Sequence, residues 1–173
     1  MKITGKALAL REYINTYLLF PSDAILKMNV LNVRSQDYKN NLLKYGLKNL
    51  KIDKKILNES RFIIGGKGFG SGSSRQYAVE IIKTYGIKGI IAESIYPIFL
   101  RNLWNIGLFA LEIKNVISEI QTGDSLIVDL EIGAITNQRN GNQYRVDVPP
   151  KIFLEIIKCE NLIEFFKKSI NGL

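Results

Sequence analysis

Residues 61 to 92 read RFIIGGKGFGSGSSRQYAVEIIKTYGIKGIIA: an apolar run, a glycine- and serine-rich turn, an amphipathic stretch and a second apolar run. Arg61-Phe62-Ile63-Ile64 is short, apolar and closed by glycine, the pattern of a buried strand. From Tyr77 to Tyr85, Ala78, Ile81, Ile82 and Tyr85 recur at helical spacing, and Gly86 supplies a stop. Ile87 to Ala92 is a second strand. Further on, Tyr96 to Ile106 reads as a helix with Pro97 in its first turn and Gly107 just past its end, followed by a strand from Leu108 to Ile113. Strand, helix, strand, helix, strand predicts an α/β fold with a parallel βαβαβ core under helical cover.

The flanks add strands and helices to this core. Ile3 to Leu10 suggests a first strand, and Tyr13 to Asp23 a polar and apolar segment ending in turn chemistry. Ser35 is a candidate N-cap for a helix from Gln36 to Tyr45, closed by Gly46. After Gly123-Asp124, alternating strands are expected at Ser125 to Leu130, Ala134 to Thr136 and Gln143 to Val148, with Asn140-Gly141 as a hairpin turn. Pro149-Pro150 opens a last helical region from Lys151 to Ile170. With no repeat, low-complexity tract or linker, the 173 residues are expected to form one domain.

Composition excludes more than it assigns. One cysteine, Cys159, and no histidine leave no internal disulfide, no zinc or iron–sulfur site and no Ser-His or Cys-His pair within the chain. Cys159, on an amphipathic stretch, is expected to be a small buried hydrophobe. The net charge of +8 invites a nucleic-acid reading, but the charges are spread out. Their densest run, Lys48 to Lys55, reads as a solvated surface. Apolar stretches are too short for a bilayer span, and the N-terminus, with Arg11 and Glu12 after one brief apolar cluster, lacks the pattern of a signal peptide. A cytoplasmic protein is expected.

The turn from Gly65 to Arg75 leaves the end of a parallel strand and enters a helix, which places backbone N–H groups at the positive end of the helix dipole. An anion is the expected occupant. Neither nucleotide fingerprint fits: Lys67 is followed by Gly68 rather than Ser or Thr, and the third glycine of a dinucleotide loop would fall on Ser73 or Arg75. Ser73, Ser74 and Arg75 instead combine two hydroxyls with a guanidinium fork, suited to a di- or tricarboxylate. The residues alone leave a second reading open, in which one serine is an N-cap and the glycines are a tight turn.

The stretch GGKGFGSGSSRQYA followed by GIKGIIAESIYPIFLRNLWNIGLFALE resembles the small-subunit or swivelling domain of the aconitase superfamily, most closely the small subunits of 3-isopropylmalate dehydratases. That family carries a G-x-G-S-S-R-E-H-A loop, an A-x-S-[FY] turn, an I-F-x-R-N helix and a G-L-x-x-[LIV]-E strand, in this order. An early I-N-T-D-x-I-[IL]-P segment has a partial counterpart in Ile14 to Pro21. The resemblance implies a single aconitase-like swivelling domain over residues 1–173, layered β/β/α. It also implies a hydro-lyase that moves a hydroxyl between adjacent carbons of a hydroxy di- or tricarboxylic acid. The expected partner is a large subunit carrying a four-iron, four-sulfur cluster, with no metal ligand on this chain.

Residue by residue, the resemblance implies that Ser73 is the catalytic base, an alkoxide stabilised by the helix N-terminus, backbone amides and Arg75. Ser74 and Arg75 would hold substrate carboxylate, Gly70 and Gly72 would permit close backbone approach, and Arg101 and Asn102 would support the loop. Three positions depart from the pattern. Tyr17 replaces the acid after I-N-T, Gln76-Tyr77 replaces Glu-His, and Pro21-Ser22-Asp23 stands where the family reads Pro-Ala-Arg. Asp23 is a candidate substitute for the missing acid. Trp104 and Phe99 are expected in the core or at a subunit contact. Isopropylmalate in leucine biosynthesis is the leading substrate, with homoaconitase-type substrates and a non-catalytic binding module as alternatives, and specificity is expected to reside in Ser22 to Val30.

Overall fold

The parallel core occupies one half of a larger sheet. In the computed structural model, which describes residues 1–10, 13–28 and 35–171, β1 (Lys2–Ala9), β2 (Ser60–Gly65), β3 (Gly89–Ala92) and β4 (Phe109–Glu112) run parallel in the order β4-β3-β2-β1. Beyond β1 the direction reverses, and β5 (Ser125–Asp129), β6 (Ala134–Asn137) and β7 (Gln143–Arg145) complete seven strands by antiparallel pairing. β1 is therefore the seam, with Leu8 opposite Ile63 on one side and Ile3 opposite Val128 on the other.

Nine α-helices lie among the described residues: α1 (Thr16–Leu19), α2 (Ser22–Leu26), α3 (Gln36–Tyr45), α4 (Lys54–Glu59), α5 (Tyr77–Thr84), α6 (Pro97–Asn105), α7 (Val116–Glu119), α8 (Lys151–Lys158) and α9 (Leu162–Asn171). Strands covered on both faces read as continuous apolar runs, and the two faces of the parallel half feed two cores. Leu8, Ile63, Ile90 and Ala110 pack with Leu42 of α3, Ile81 and Ile82 of α5 and Phe99 and Leu103 of α6. Phe62, Ile64, Ile91 and Phe109 pack with Leu126, Val128 and Ile135 from the antiparallel half, and with Leu154 of α8. The antiparallel half of the sheet thus supplies part of the second core. Each such fully buried side chain contributes about 1.5–3 kcal/mol relative to exposure.

Several boundaries differ from expectation. Tyr13 to Asp23, expected as a polar and apolar segment ending in turn chemistry, holds two short helices: Asn15 caps α1 by accepting from the Leu18 N–H, and Ser22 begins α2. The C-terminal helical region is two helices, because Glu160 adopts a left-handed conformation (φ 66°) between α8 and α9. β7 ends at Arg145 rather than Val148. Cys159 is half-buried rather than buried. Ser35 does cap α3, accepting from the Tyr38 N–H at 3.1 Å, and Lys48, Lys51, Lys54 and Lys55 are exposed. Arg11, Glu12 and the end of the Ser22–Val30 segment lie outside the described residues.

Lys83 ties three helices together near the start of β3. Its ammonium donates to the carbonyls of Ile106 and Glu160, each at 2.6 Å, which joins the C-terminal ends of α6 and α8 to α5. Burial lowers its pKa from the ordinary lysine value.

Candidate active site

The glycine loop lies beyond the C-terminal ends of the parallel strands, held by main-chain and side-chain bonds from three other segments. The Gly70 N–H donates to the Ile14 carbonyl at 2.7 Å, Thr16 N–H to Ser71 O at 2.8 Å, and Ser73 N–H to Thr16 Oγ1 at 2.8 Å. On the other flank, Gly68 N–H donates to Ser94 Oγ at 2.8 Å, and Phe69 exchanges bonds with Ser94 O and Tyr96 N–H. Glu112, at the end of β4, accepts from the Ile95 N–H at 2.7 Å. Asn102 of α6 donates from Nδ2 to Ser74 O at 3.0 Å, whereas Arg101 is exposed. The early segment, the loop, the A-E-S turn, the R-N helix and the terminal glutamate, scattered over almost a hundred residues, meet at one corner.

The two glycines assigned to close approach are approached by the chain itself. At Gly70 (φ 79°) a Cβ would sit 2.1 Å from Phe99 Cγ, and at Gly72 (φ 108°) it would sit 2.9 Å from Thr16 Oγ1. Left-handed backbone and a buried phenyl ring both oppose a side chain at position 70. Gly70→Ala is expected to cost about 2–3 kcal/mol, the sum of left-handed strain and overpacking. A thermal midpoint roughly 4–12 °C lower by calorimetry would follow, and an unchanged midpoint would contradict this packing.

Ser73, Ser74 and Arg75 are exposed, as an incoming ligand requires. The triplet does not begin the helix: α5 starts at Tyr77 with Gln76 as its N-cap, and no side chain caps it. Ser73 Oγ instead accepts from the Arg75 N–H at 3.3 Å, a turn two residues long in which the backbone donates to that hydroxyl. Arg75 reaches across to α2, donating from Nη1 to Ser22 Oγ at 2.8 Å. Tyr17, Phe20, Ile25 and Tyr77 wall the cleft around Arg75, and its volume of about 30 Å³ is that of one water molecule.

The departures have definite places. Tyr17 is exposed at the rim of the Arg75 cleft. Gln76 donates to Glu80 Oε1 at 3.0 Å, and Tyr77 packs its ring against Phe20 (5.6 Å between centroids) and Tyr38 (6.4 Å). The Tyr38 hydroxyl donates to the same Glu80 carboxylate, and burial together with that carboxylate raises its pKa, so it stays a proton donor. Asp23, the candidate substitute for the missing acid, is engaged within its own helix. It pairs with Lys27 at 3.1 Å, one turn along α2, and that hydrogen bond holds its pKa below the ordinary range.

Three residues important to the corner carried no role in the sequence reading, and a fourth, Ser22, was placed only in the expected specificity segment. Thr16, Ser94 and Glu112 stand inside the quoted motifs, so their positions were visible although their bonds were not. The bond of Ser22 to Arg75 had no sequence signal, since the two lie 53 residues apart. Among the described residues no group of three or more His, Cys, Asp or Glu could hold a metal ion, and no helix is long and apolar enough to cross a membrane. Cys159 closes α8 beside Glu160, whose carbonyl accepts from Lys83.

A seven-stranded mixed sheet with a glycine loop knitted in this way defines an aconitase-type swivelling domain, and the family model described as Aconitase C-terminal domain matches residues 48–116. The 3-isopropylmalate dehydratase small subunit of Thermodesulfovibrio yellowstonii is 35% identical over 174 residues, spanning 99% of this chain and 97% of that protein. The small subunit 1 of Thermotoga maritima is 43% identical over 114 residues, 66% of this chain and 68% of its own length. The crystal structure of 3-isopropylmalate dehydratase from Methanocaldococcus jannaschii superposes with a TM-score of 0.78 at 27% identity, covering 98% of this chain and 95% of that one. The chain belongs to the family of 3-isopropylmalate dehydratase small subunits.

Proposed function

We propose that this chain, as a single swivelling domain, is the small subunit of a cytoplasmic hydro-lyase that interconverts 2- and 3-isopropylmalate in leucine biosynthesis. The observation that carries the reading is the exposed Ser73-Ser74-Arg75 triplet on a loop fixed by Ile14, Thr16, Ser94 and Asn102, with a main-chain N–H already on the Ser73 hydroxyl. In the dehydration, the Ser73 alkoxide takes the proton from the carbon beside the hydroxyl-bearing carbon, and hydroxide leaves from its neighbour. Rehydration adds water across the same double bond in the opposite sense. The Arg75 N–H stabilises the alkoxide, while the Arg75 guanidinium and the Ser74 hydroxyl hold carboxylate.

One half-buried cysteine and no histidine do not fit a cluster site, so the 4Fe–4S cluster is assigned to a large subunit, where it would act as Lewis acid toward the departing hydroxyl. The small cleft at Arg75 is consistent with a site completed by that partner. Co-expression with a matching large subunit and anaerobic reconstitution is expected to give a copurifying complex that turns over isopropylmalate. Absence of both complex and turnover would overturn the proposal. A second reading, a non-catalytic module, is favoured by Tyr17 at the cleft rim and by the engagement of Asp23 with Lys27. A complex that forms but turns over neither isopropylmalate nor homoaconitate would support it.

A further inference from the structure

We propose that Ser22 is a positioning residue for Arg75, fixing the guanidinium so that its free edge meets a substrate carboxylate. The inference rests on the reading of Arg75 as a carboxylate-binding group. Ser22 is the first residue of α2 and follows Pro21, whose ring restricts the backbone entering the helix. Pro21 and the preceding Phe20 are buried, so the hydroxyl of Ser22 projects from a fixed base. It accepts from Arg75 Nη1 at 2.8 Å.

An exposed arginine with four side-chain torsions samples many rotamers, and binding must order whichever of them are left free. A guanidinium has five N–H donors in a fixed fork. Spending one on Ser22 holds the plane while leaving other donors for a bidentate carboxylate. Phe20, Ile25 and Ala78 supply an apolar floor that strengthens such a pair. Among the described residues no carboxylate pairs with Arg75, and the adjacent Asp23 is engaged by Lys27. The family pattern does not assign this role, because it places alanine, without a hydroxyl, at the position of Ser22.

The test uses the reconstituted complex with its large subunit and 3-isopropylmalate as substrate. Ser22→Ala is expected to raise KM about tenfold, a typical loss for one hydrogen bond to a charged group, with kcat within about threefold. Ser22→Thr keeps the hydroxyl and is expected to hold KM within about twofold of the parent. In an Arg75→Ala background, which itself raises KM, adding Ser22→Ala is expected to change KM no further. A KM unmoved by Ser22→Ala, a threonine variant as impaired as the alanine one, or additive effects in the double variant would overturn the role of Ser22 alone. An Arg75→Ala enzyme with parental KM would overturn the carboxylate assignment, and the Ser22 proposal with it.

Discussion

Replacing Ser73 with alanine is expected to lower kcat of the reconstituted enzyme by about 10²–10⁴-fold, the range over which a positioned base accelerates proton transfer. KM should change little, because Ser74 and Arg75 still hold the acid. The fold should not notice. Ser73 Oγ is exposed and accepts one 3.3 Å bond, whereas the bond that holds the loop comes from the Ser73 main-chain N–H to Thr16 and survives the substitution. Stability is therefore expected within about 0.5 kcal/mol of the parent, as for other exposed sites. Steady-state kinetics and calorimetry on one preparation separate the outcomes. A variant retaining a tenth or more of parental kcat would remove Ser73 from the role of base.

Replacing Asp124 with alanine is expected to cost about 3–4 kcal/mol of stability, the largest structural effect anticipated away from the active corner. Asp124 is buried just before β5, and its carboxylate accepts from the Gln121 N–H (3.0 Å), Asn137 Nδ2 (2.7 Å), and Arg139 Nε (2.5 Å) and Nη2 (3.2 Å). Its main-chain carbonyl meanwhile accepts from Ala7 N–H on β1. Alanine would strand the amide of Asn137, which is fully buried, while Arg139, partly exposed, could return to water. A thermal midpoint lower by roughly 6–16 °C follows for a chain of this size.

The same site sets a pH dependence. Burial by itself would raise the Asp124 pKa, but the bonds from Arg139, Gln121 and Asn137 outweigh it and hold the carboxyl below its ordinary value. A depressed native pKa stabilises the fold above the unfolded value of about 3.9 and loses that contribution as pH falls through the native one. Denaturant midpoints measured from pH 6 to pH 2.5 should show this acid loss in the parent and a flatter acid limb in Asp124→Asn. Identical acid limbs would contradict the assignment.

The parallel core was legible because its strands are buried on both faces and each helix has a marked stop, Gly86 after α5 and Gly107 after α6. The position of β1 was not, since nothing in Ile3 to Leu10 specifies pairing with β2 on one edge and with β5, more than a hundred residues on, along the other. Glu160 broke the last helical region although glutamate seldom adopts the left-handed conformation, and the Asn161 that follows it caps α9 by accepting from the Glu164 N–H. At the site, the triplet was legible by its chemistry and the resemblance carried its roles, but the two serines suggested a helix cap that α5 does not use. Ser22 and Asp23 show the limit most clearly. One turned out to hold Arg75 and the other to pair with Lys27, and only tertiary geometry distinguishes such neighbours.

The most direct measurement is the structure of the Ser73→Ala small subunit in complex with its cluster-loaded large subunit and 3-isopropylmalate. A substrate carboxylate within hydrogen-bond distance of the Arg75 guanidinium, with the carbon that loses its proton facing residue 73, is the expected result. Substrate bound with Arg75 and residue 73 both out of reach would contradict the account.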